Sequence, residues 1–351
     1  MNMQPTDSPQ PAARPDPVRL GLAALSALLG VAIAAAYALR PVRLDSVTVF
    51  PLLVWAGVGV FVVLVALSRR TRQASLLALL IWTVVVGGLA EEPVSLLRGA
   101  LWRLSGGYQT TRPAEVLRVI SLNCAGGQVA AAQEVLPYDP DVVLFQETPG
   151  RQELEQAFPA ASGWQVNVGL DAAIAVRGTL AAQPLERADR MFLTVARAIP
   201  RRAPSVDLTV VSTHFAPRAL SFQLWRPSVW IGDEQLVRHQ ASQMVEVRRY
   251  AESALARGPV IVGGDFNSPG GAALFRPLRP HFRDCWAVAG QGWPDTITND
   301  SPFSRIDQVW VSPEWEVVRQ WVERTANSDH RMVICDLRLR TVRQGQPTLG
   351  P

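Results

Sequence analysis

Apolar positions along the chain follow two regimes. Up to residue 90 they form long runs without a charged residue: twenty residues from Leu20 to Leu39, twenty-three from Ser46 to Ser68 and eighteen from Gln73 to Ala90. A helix across a bilayer needs about 20 residues, and arginines stand at the borders of these runs. The pattern predicts three membrane spans, at about 20–39, 46–68 and 73–90, within an anchor covering 19–107. With no charged side chain inside them, the spans read as an anchor and not as an ion or proton path. Beyond residue 115 the apolar runs shorten to strand length: Val116–Leu122, Val142–Phe145, Leu208–Ser212, Val260–Val262, Gln308–Val311 and Met332–Leu337. They alternate with helix-like stretches, which predicts an α/β domain over 115–340. Between the two regimes, Glu91–Gly107 mixes Leu96, Leu97, Leu101 and Trp102 with Arg98 and Arg103. This reads either as an amphipathic piece at the membrane surface or as a frayed continuation of the third span. A linker is expected at 108–114, a disordered segment rich in Pro, Ala and Asp at 1–18, and a short tail at 341–351.

Charge refines this division. The net charge is +4, but residues 1–114 hold ten Arg against five acidic residues, whereas 115–351 hold 24 Arg against 25. The basic character therefore belongs to the anchor. A duplex-binding surface normally shows a basic excess, because phosphate neutralisation supplies most non-specific affinity, and residues 115–351 have none. Arg69-Arg70-Thr71-Arg72 places the second loop in the cytoplasm by the positive-inside rule. Arg14 and Arg19 agree with that orientation, and Arg40 and Arg43 oppose it. Three spans then put the α/β domain outside the cytoplasm. Ala36-Tyr37-Ala38 also resembles a signal-peptide processing site, after which two spans would still anchor the chain.

Candidate chemistry sits in short polar islands at the ends of the strand-length runs: Ser121-Leu122-Asn123, Phe145-Gln146-Glu147-Thr148, Ser212-Thr213-His214, Gly264-Asp265-Phe266-Asn267, Arg305-Ile306-Asp307 and Ser328-Asp329-His330. Strand ends on one edge of a sheet can converge. Phosphodiester hydrolysis needs hard oxygen ligands for a divalent cation, a base for water and donors for charge on the phosphoryl oxygens. Glu147 and Asp329 supply the ligands, Asp265 the base, and Asn267, His214 and His330 the donors. A phosphate-cradling GxxxxGK[ST] loop is absent. The three cysteines form no CxxC pair; Cys124 and Cys335 fall in strand-like runs and read as small buried hydrophobes, while outside the cytoplasm one disulfide could form and leave a third thiol free.

These islands resemble the endonuclease/exonuclease/phosphatase superfamily, which includes DNase I-like nucleases, sphingomyelinases and inositol phosphatases. The resemblance covers Glu115 to Arg340. It implies a DNase I-like four-layer α/β sandwich following the three transmembrane helices, and a metal-dependent phosphoric ester hydrolase. Residue by residue, it implies a Mg²⁺ (or Mn²⁺) site at Asn123, Glu147 and Asp329. Catalytic roles fall to His214, Asp265, Asn267, Asp307 and His330, with Asp307 paired to His330. Arg177, after the run Ala172–Val176, stands where the superfamily often has an arginine, and is expected either to face the phosphate or to be a solvated charge at a strand end. Ala125 departs from the acidic residue that abasic-site endonucleases carry at that position, which weakens the case for a second metal. The expected partner is a phosphodiester, either nucleic acid or phospholipid, along with the membrane itself. The chain then reads as a nuclease-like phosphodiesterase, a lipid or sugar-phosphate phosphoesterase, or a non-catalytic sensor of phosphorylated ligands. Phe222, Trp225 and Trp230, between His214 and the helix near Glu234, could stack on bases, enter a lipid interface or cap the local core.

Overall fold

The computed structural model describes residues 16–107, 112–218 and 221–340. Residues 1–15 of the expected disordered segment, Tyr108–Thr111 of the expected linker and the 341–351 tail lie outside the described residues. The chain forms two compact units, one built from residues up to Leu39 with Leu52–Ala90, the other from Arg40–Pro51 with Glu91 onward.

Helices α1 (Pro17–Leu39), α2 (Asp45–Thr48), α3 (Leu52–Ala66) and α4 (Arg72–Leu89) come first along the chain, and α1, α3 and α4 make up the first unit. They pack through small residues, as apolar helices do when their backbones must approach closely. The Trp82 indole lies against Gly59, where a Cβ would fall 2.1 Å from the ring. Its Nε1 donates to Ser26 Oγ at 3.1 Å, and Ser26 Oγ donates to the Gly59 carbonyl at 2.8 Å. Helices α1 and α4 are long and apolar enough to cross a bilayer. The expected span 46–68 is not one helix, because Val42–Thr48 and Leu52–Ala66 meet at 68°. Pro51 lacks an N–H and its ring disfavours helix at the residue before it. The bent pair supplies a third span only if counted as one.

In the second unit the apolar runs become strands β1 (Val116–Asn123), β2 (Val142–Gln146), β3 (Trp164–Val168), β4 (Ala172–Ala182), β5 (Leu193–Pro200), β6 (Leu208–His214), β7 (Val260–Asp265), β8 (Arg283–Asp284), β9 (Asp307–Val311), β10 (Trp315–Glu323) and β11 (Met332–Leu339). They follow the order β10-β11-β1-β2-β4-β5-β6-β7-β9-β8, with β3 also on β4. The first half of β4 pairs with β2 and β3, the second half with β5. The path thus divides into two sheets joined by β4. The change of sheet falls at Gly178, whose φ of +156° and close approach to Ile199 leave no room for a side chain.

Helices α5 (Glu92–Leu104), α6 (Val129–Gln133), α7 (Arg151–Ala157), α8 (Pro227–Leu255) and α9 (Cys285–Ala289) complete the unit. Leu117, Val119 and Leu144 of one sheet join Val210, Ile261 and Val309 of the other in a core between the sheets. Alternate positions on the same strands, such as Ile120 and Leu122, pack outward with Ala131 and Leu154 of α6 and α7, as the two-residue strand period requires. On the far side Val211 and Val262 pack with Met244, Val247 and Ala251 of α8. The result is a helix–sheet–sheet–helix sandwich. Both faces of each sheet are covered, which is why its strands read as continuous apolar runs.

Helix α5 is a separate element, since Ala90 is extended and breaks the chain after α4. Its Ser95 Oγ donates to the Gly292 carbonyl at 2.8 Å and Arg98 Nη1 to the Ala287 carbonyl at 3.0 Å. Cys124, Cys285 and Cys335 are free and buried.

Candidate active site

Two pairs of parallel strands, one in each sheet, set the site. In the first sheet β1 and β2 run parallel with Asn123 opposite Gln146; in the second β6 and β7 run parallel with His214 opposite Asp265. Strand β9, antiparallel to β7, puts Asp307 opposite Asp265 on the other side. Register alone therefore places Asp265 between His214 and Asp307. Gln146 Nε2 bonds Ser212 Oγ at 3.2 Å, tying the two sheets together beneath this edge.

Past the strand ends the chain turns sharply. Ala125, Glu147 and Asn267 all adopt left-handed φ values, 46°, 45° and 47°. Such conformations cost about 1–3 kcal/mol each in a non-glycine residue and concentrate at functional sites. Glu147 is thereby aimed back across β1. Its Oε1 accepts Asn123 Nδ2 at 3.0 Å and its Oε2 accepts the Gly126 amide at 2.6 Å.

Asp265 is the buried centre. Its Oδ1 accepts the Asn267 amide at 2.8 Å, and its Oδ2 accepts Asn123 Nδ2 at 3.2 Å. The same Oδ2 lies 3.6 Å from His214 Nε2 and 3.8 Å from His330 Nε2. Each imidazole is held from behind by another carboxylate: His214 Nδ1 by Asp171 Oδ2 at 2.7 Å, and His330 Nδ1 by Asp307 Oδ2 at 2.9 Å. Burial, together with the neighbouring Asp307 charge, pushes Asp265 up to about 6, although both histidines work against the rise. Burial disfavours the His330 imidazolium, but Asp307 and Asp265 more than compensate and push it up to about 10. His214 moves in the same direction, the effect of burial being overcome by its bond to Asp171 and the Asp265 charge. The site thus presents the Asp265 carboxyl between two imidazoles whose protonated forms their carboxylate neighbours favour.

The edge therefore brings together Asn123, Glu147, His214, Asp265, Asn267, Asp307 and His330. Asn267 Nδ2 donates to the Phe215 carbonyl at 2.9 Å, which locks the β7 turn to the segment after His214. Asp329 is exposed, and its backbone carbonyl accepts the Asn299 amide at 2.6 Å. Arg177 does not join the site. Strand β4 runs antiparallel to β2, so Ala172 lies at the Gln146 end and Arg177 beyond Val142 at the other. There it pairs with Asp139, stacks over Trp164 at 5.0 Å and shares Asp139 with Arg112 and Arg202. Of the two placements expected for it, the one facing the phosphate is not found: Arg177 is a charge at the opposite end of the sheet, held in an ion cluster.

Sequence reasoning missed several supporting residues. Asp171 opens β4 from the tight β3–β4 hairpin, and a carboxylate beside a strand start was its only local signal. Ser328 Oγ donates to the Asn123 carbonyl at 2.7 Å and accepts the His330 amide at 3.0 Å. Gln240 and Gln243, buried on α8, hold the Ala216 carbonyl and amide at 2.8 and 3.0 Å. Two buried glutamines on an amphipathic helix were the available clue. Arg305 is buried and bonds Glu91 twice, at 2.7 and 2.8 Å, and Asp284 Oδ2 at 2.8 Å. This pairing holds Glu91 below its ordinary value despite burial.

The donor set fits a hard divalent cation. Each Glu147 oxygen uses one lone pair on a protein donor and keeps another, and carboxylate oxygens are the ligands Mg²⁺ prefers. Asp307 Oδ1 is buried with no hydrogen-bond partner. Among the described residues, Asp265, Asp307 and His330 also bring potential ligand atoms within 4.8 Å of one another.

Comparison with known proteins agrees with this architecture. Two solved structures share the fold: an endonuclease/exonuclease/phosphatase from Bacteroides vulgatus (15% identity, 64% of this chain and 99% of that one, TM-score 0.50) and an endonuclease/exonuclease/phosphatase family protein from Bacteroides thetaiotaomicron (16% identity, 64% and 98%, TM-score 0.50). No curated protein matches the chain. A sequence profile of the Endonuclease/Exonuclease/phosphatase family matches residues 120–330, from within β1 to His330. The chain therefore belongs to the endonuclease/exonuclease/phosphatase family.

Proposed function

We propose that the protein is a membrane-anchored, divalent-metal-dependent phosphodiester hydrolase whose catalytic domain, residues 115–340, works outside the cytoplasm. The observation behind this reading is the buried Asp265 carboxylate flanked by two imidazole Nε2 atoms at 3.6 and 3.8 Å.

With its acidity at about 6, Asp265 is ionised at neutral pH yet basic enough to take a proton from water, the balance a general base requires. Asn267 and Asn123 orient its oxygens. His330, held cationic through Asp307, presents Nε2–H to a non-bridging phosphoryl oxygen, and His214, backed by Asp171, presents a second donor. These fixed donors stabilise charge that develops as water attacks in line. Glu147, with Asp329 and Asn123 assisting, would hold Mg²⁺ or Mn²⁺, which when bound polarises the phosphoryl oxygen. A covalent intermediate is not required.

Location follows from chain connectivity. With the bent pair counted as one span, the chain crosses a membrane three times before the strands, which therefore lie across it from Asp16. Arg69, Arg70 and Arg72 then fall on the side of Asp16, as the positive-inside rule requires of a cytoplasmic loop.

Nuclease-like action is the first reading of substrate. A lipid-borne or sugar-linked phosphoester is favoured by one observation: residues 115–351 have no basic excess, and Arg177 and Arg202 are engaged with Asp139 away from the site. The test is hydrolysis of supercoiled plasmid and of phospholipid–sphingomyelin vesicles by the detergent-solubilised chain, with Mg²⁺ or EDTA and with Asp265→Asn. Metal- and Asp265-dependent nicking gives a nuclease, and headgroup or phosphate release from vesicles without nicking gives a lipid phosphoesterase. Activity in Asp265→Asn equal to the parent would defeat the assigned roles.

A further inference from the structure

Two exposed apolar surfaces of the second unit are tied to the chain at the ends of the apolar helices, one by sequence and one by side-chain contacts. The first is on α5. Glu92, Ser95 and Gly99 recur at i, i+3 and i+7 and are buried. Val94, Leu97, Leu101 and Leu104 recur along a different face and are 45%, 61%, 56% and 84% exposed. Only Ala90 and Glu91 separate this helix from the end of α4.

The second surface spans the segment after β6 and the first turns of α8. Phe222, Trp225 and Ile231 are 71%, 75% and 58% exposed, too open to serve as a cap on the core. Two contacts fasten this stretch to Arg40–Pro51, the twelve residues joining α1 to α3. Arg218 forms a buried ion pair with Asp45, and the Phe50 and Phe222 rings lie 4.8 Å apart. Val42 and Leu44 on the same twelve residues are exposed as well. At its start the stretch is part of the site, through the Asn267 bond to the Phe215 carbonyl.

We propose that both surfaces dock on the leaflet at which α1, α3 and α4 end, so that the catalytic edge works against the lipid surface. The proposal rests on the membrane-anchor reading above. Its occupant is the anchor's own bilayer because one surface follows α4 after two residues and the other is held by side-chain contacts to the twelve residues between α1 and α3, and those helix ends would lie at that interface. Their composition agrees: aromatic and aliphatic tips with Arg103 and Arg226 beside them suit a boundary where apolar groups enter lipid and guanidinium groups remain at the headgroups.

The test labels single cysteines with a polarity-sensitive thiol probe in the full chain, the three native thiols being buried. Trp225→Cys and Leu101→Cys report the two surfaces, Leu28→Cys on the exposed face of α1 reports the anchor, and Ser253→Cys near the far end of α8 is the aqueous control. All four positions are exposed, where substitution is well tolerated. The protein is reconstituted in phosphatidylcholine–phosphatidylglycerol vesicles with or without brominated acyl chains. Bromine should quench the probes at 28, 101 and 225 and spare that at 253. Quenching at 28 with either 101 or 225 no stronger than 253 overturns the docking and leaves the anchor intact. No quenching at 28 removes the anchor reading and the docking with it.

Discussion

Replacing Asp307 by Asn removes a negative charge 2.9 Å from His330 Nδ1 while keeping the shape of the side chain. Burial opposes the His330 imidazolium, and Asp307 is the strongest of the groups that hold its proton to about 10. Relative to an ordinary imidazole, that corresponds to ~5 kcal/mol at 1.36 kcal/mol per pH unit. Without Asp307 the burial penalty remains and His330 should titrate near ~7. At pH 9 its protonated fraction then falls from ~90% to ~1%, a loss of ~100-fold in kcat/KM, while at pH 6 the loss should stay within ~10-fold. Asp265, relieved of the Asp307 charge, should also titrate below its parental value of about 6. Both limbs of the pH–rate profile therefore move toward acid. The assay is hydrolysis of bis(p-nitrophenyl) phosphate by the detergent-solubilised chain in excess Mg²⁺ across the pH range. An alkaline limb left where the parent has it, or an equal loss at every pH, would refute the reasoning. Stability shares the linkage: because folding raises the affinity of His330 for its proton, its contribution is complete below the ordinary imidazole range and is lost as pH rises through about 10. Asp307→Asn should flatten that decline in thermal unfolding.

Asp265→Asn should lower kcat by ~10²–10⁴-fold, the usual worth of a positioned base, with unfolding temperature held or raised because a buried carboxylate is neutralised. EDTA should abolish hydrolysis and Mg²⁺ or Mn²⁺ restore it, and Glu147→Gln should raise the metal concentration needed for half-activity; metal-independent turnover would remove Glu147 from its role. Arg177→Ala should leave kcat/KM within ~2-fold while lowering the unfolding temperature, since partly exposed ion pairs contribute ~1 kcal/mol or less to stability; a large fall in activity alone would contradict its position at the far end of β4. Glu91→Ala leaves Arg305 buried with Asp284 and should destabilise by ~2–3 kcal/mol, read as a lowered midpoint of chemical unfolding.

Local pattern was enough to locate most strands and most of the site. Val116–Leu122 and Val260–Val262 are apolar at every position or nearly so, which happens when both faces of a sheet are covered, and the polar residue that ends such a run must sit at an edge. That logic reaches Asn123, Glu147, His214, Asp265 and His330 without coordinates. It does not reach strand direction: β4 returns antiparallel to β2, which turns Asp171 toward His214 and carries Arg177 away, and pairing direction depends on residues distant along the chain. The same limit applies to Arg305 and Glu91, 214 positions apart, and to Arg218 and Asp45, 173 apart. It also applies to the bend at Pro51, which uninterrupted hydropathy conceals. Thus the sequence by itself determined the kinds of element and the chemical inventory at their ends, because burial and backbone preference act residue by residue. Only the tertiary structure decided which charges meet, because a buried ion pair or an imidazole with its carboxylate exists only where register and packing bring remote residues within a few ångströms.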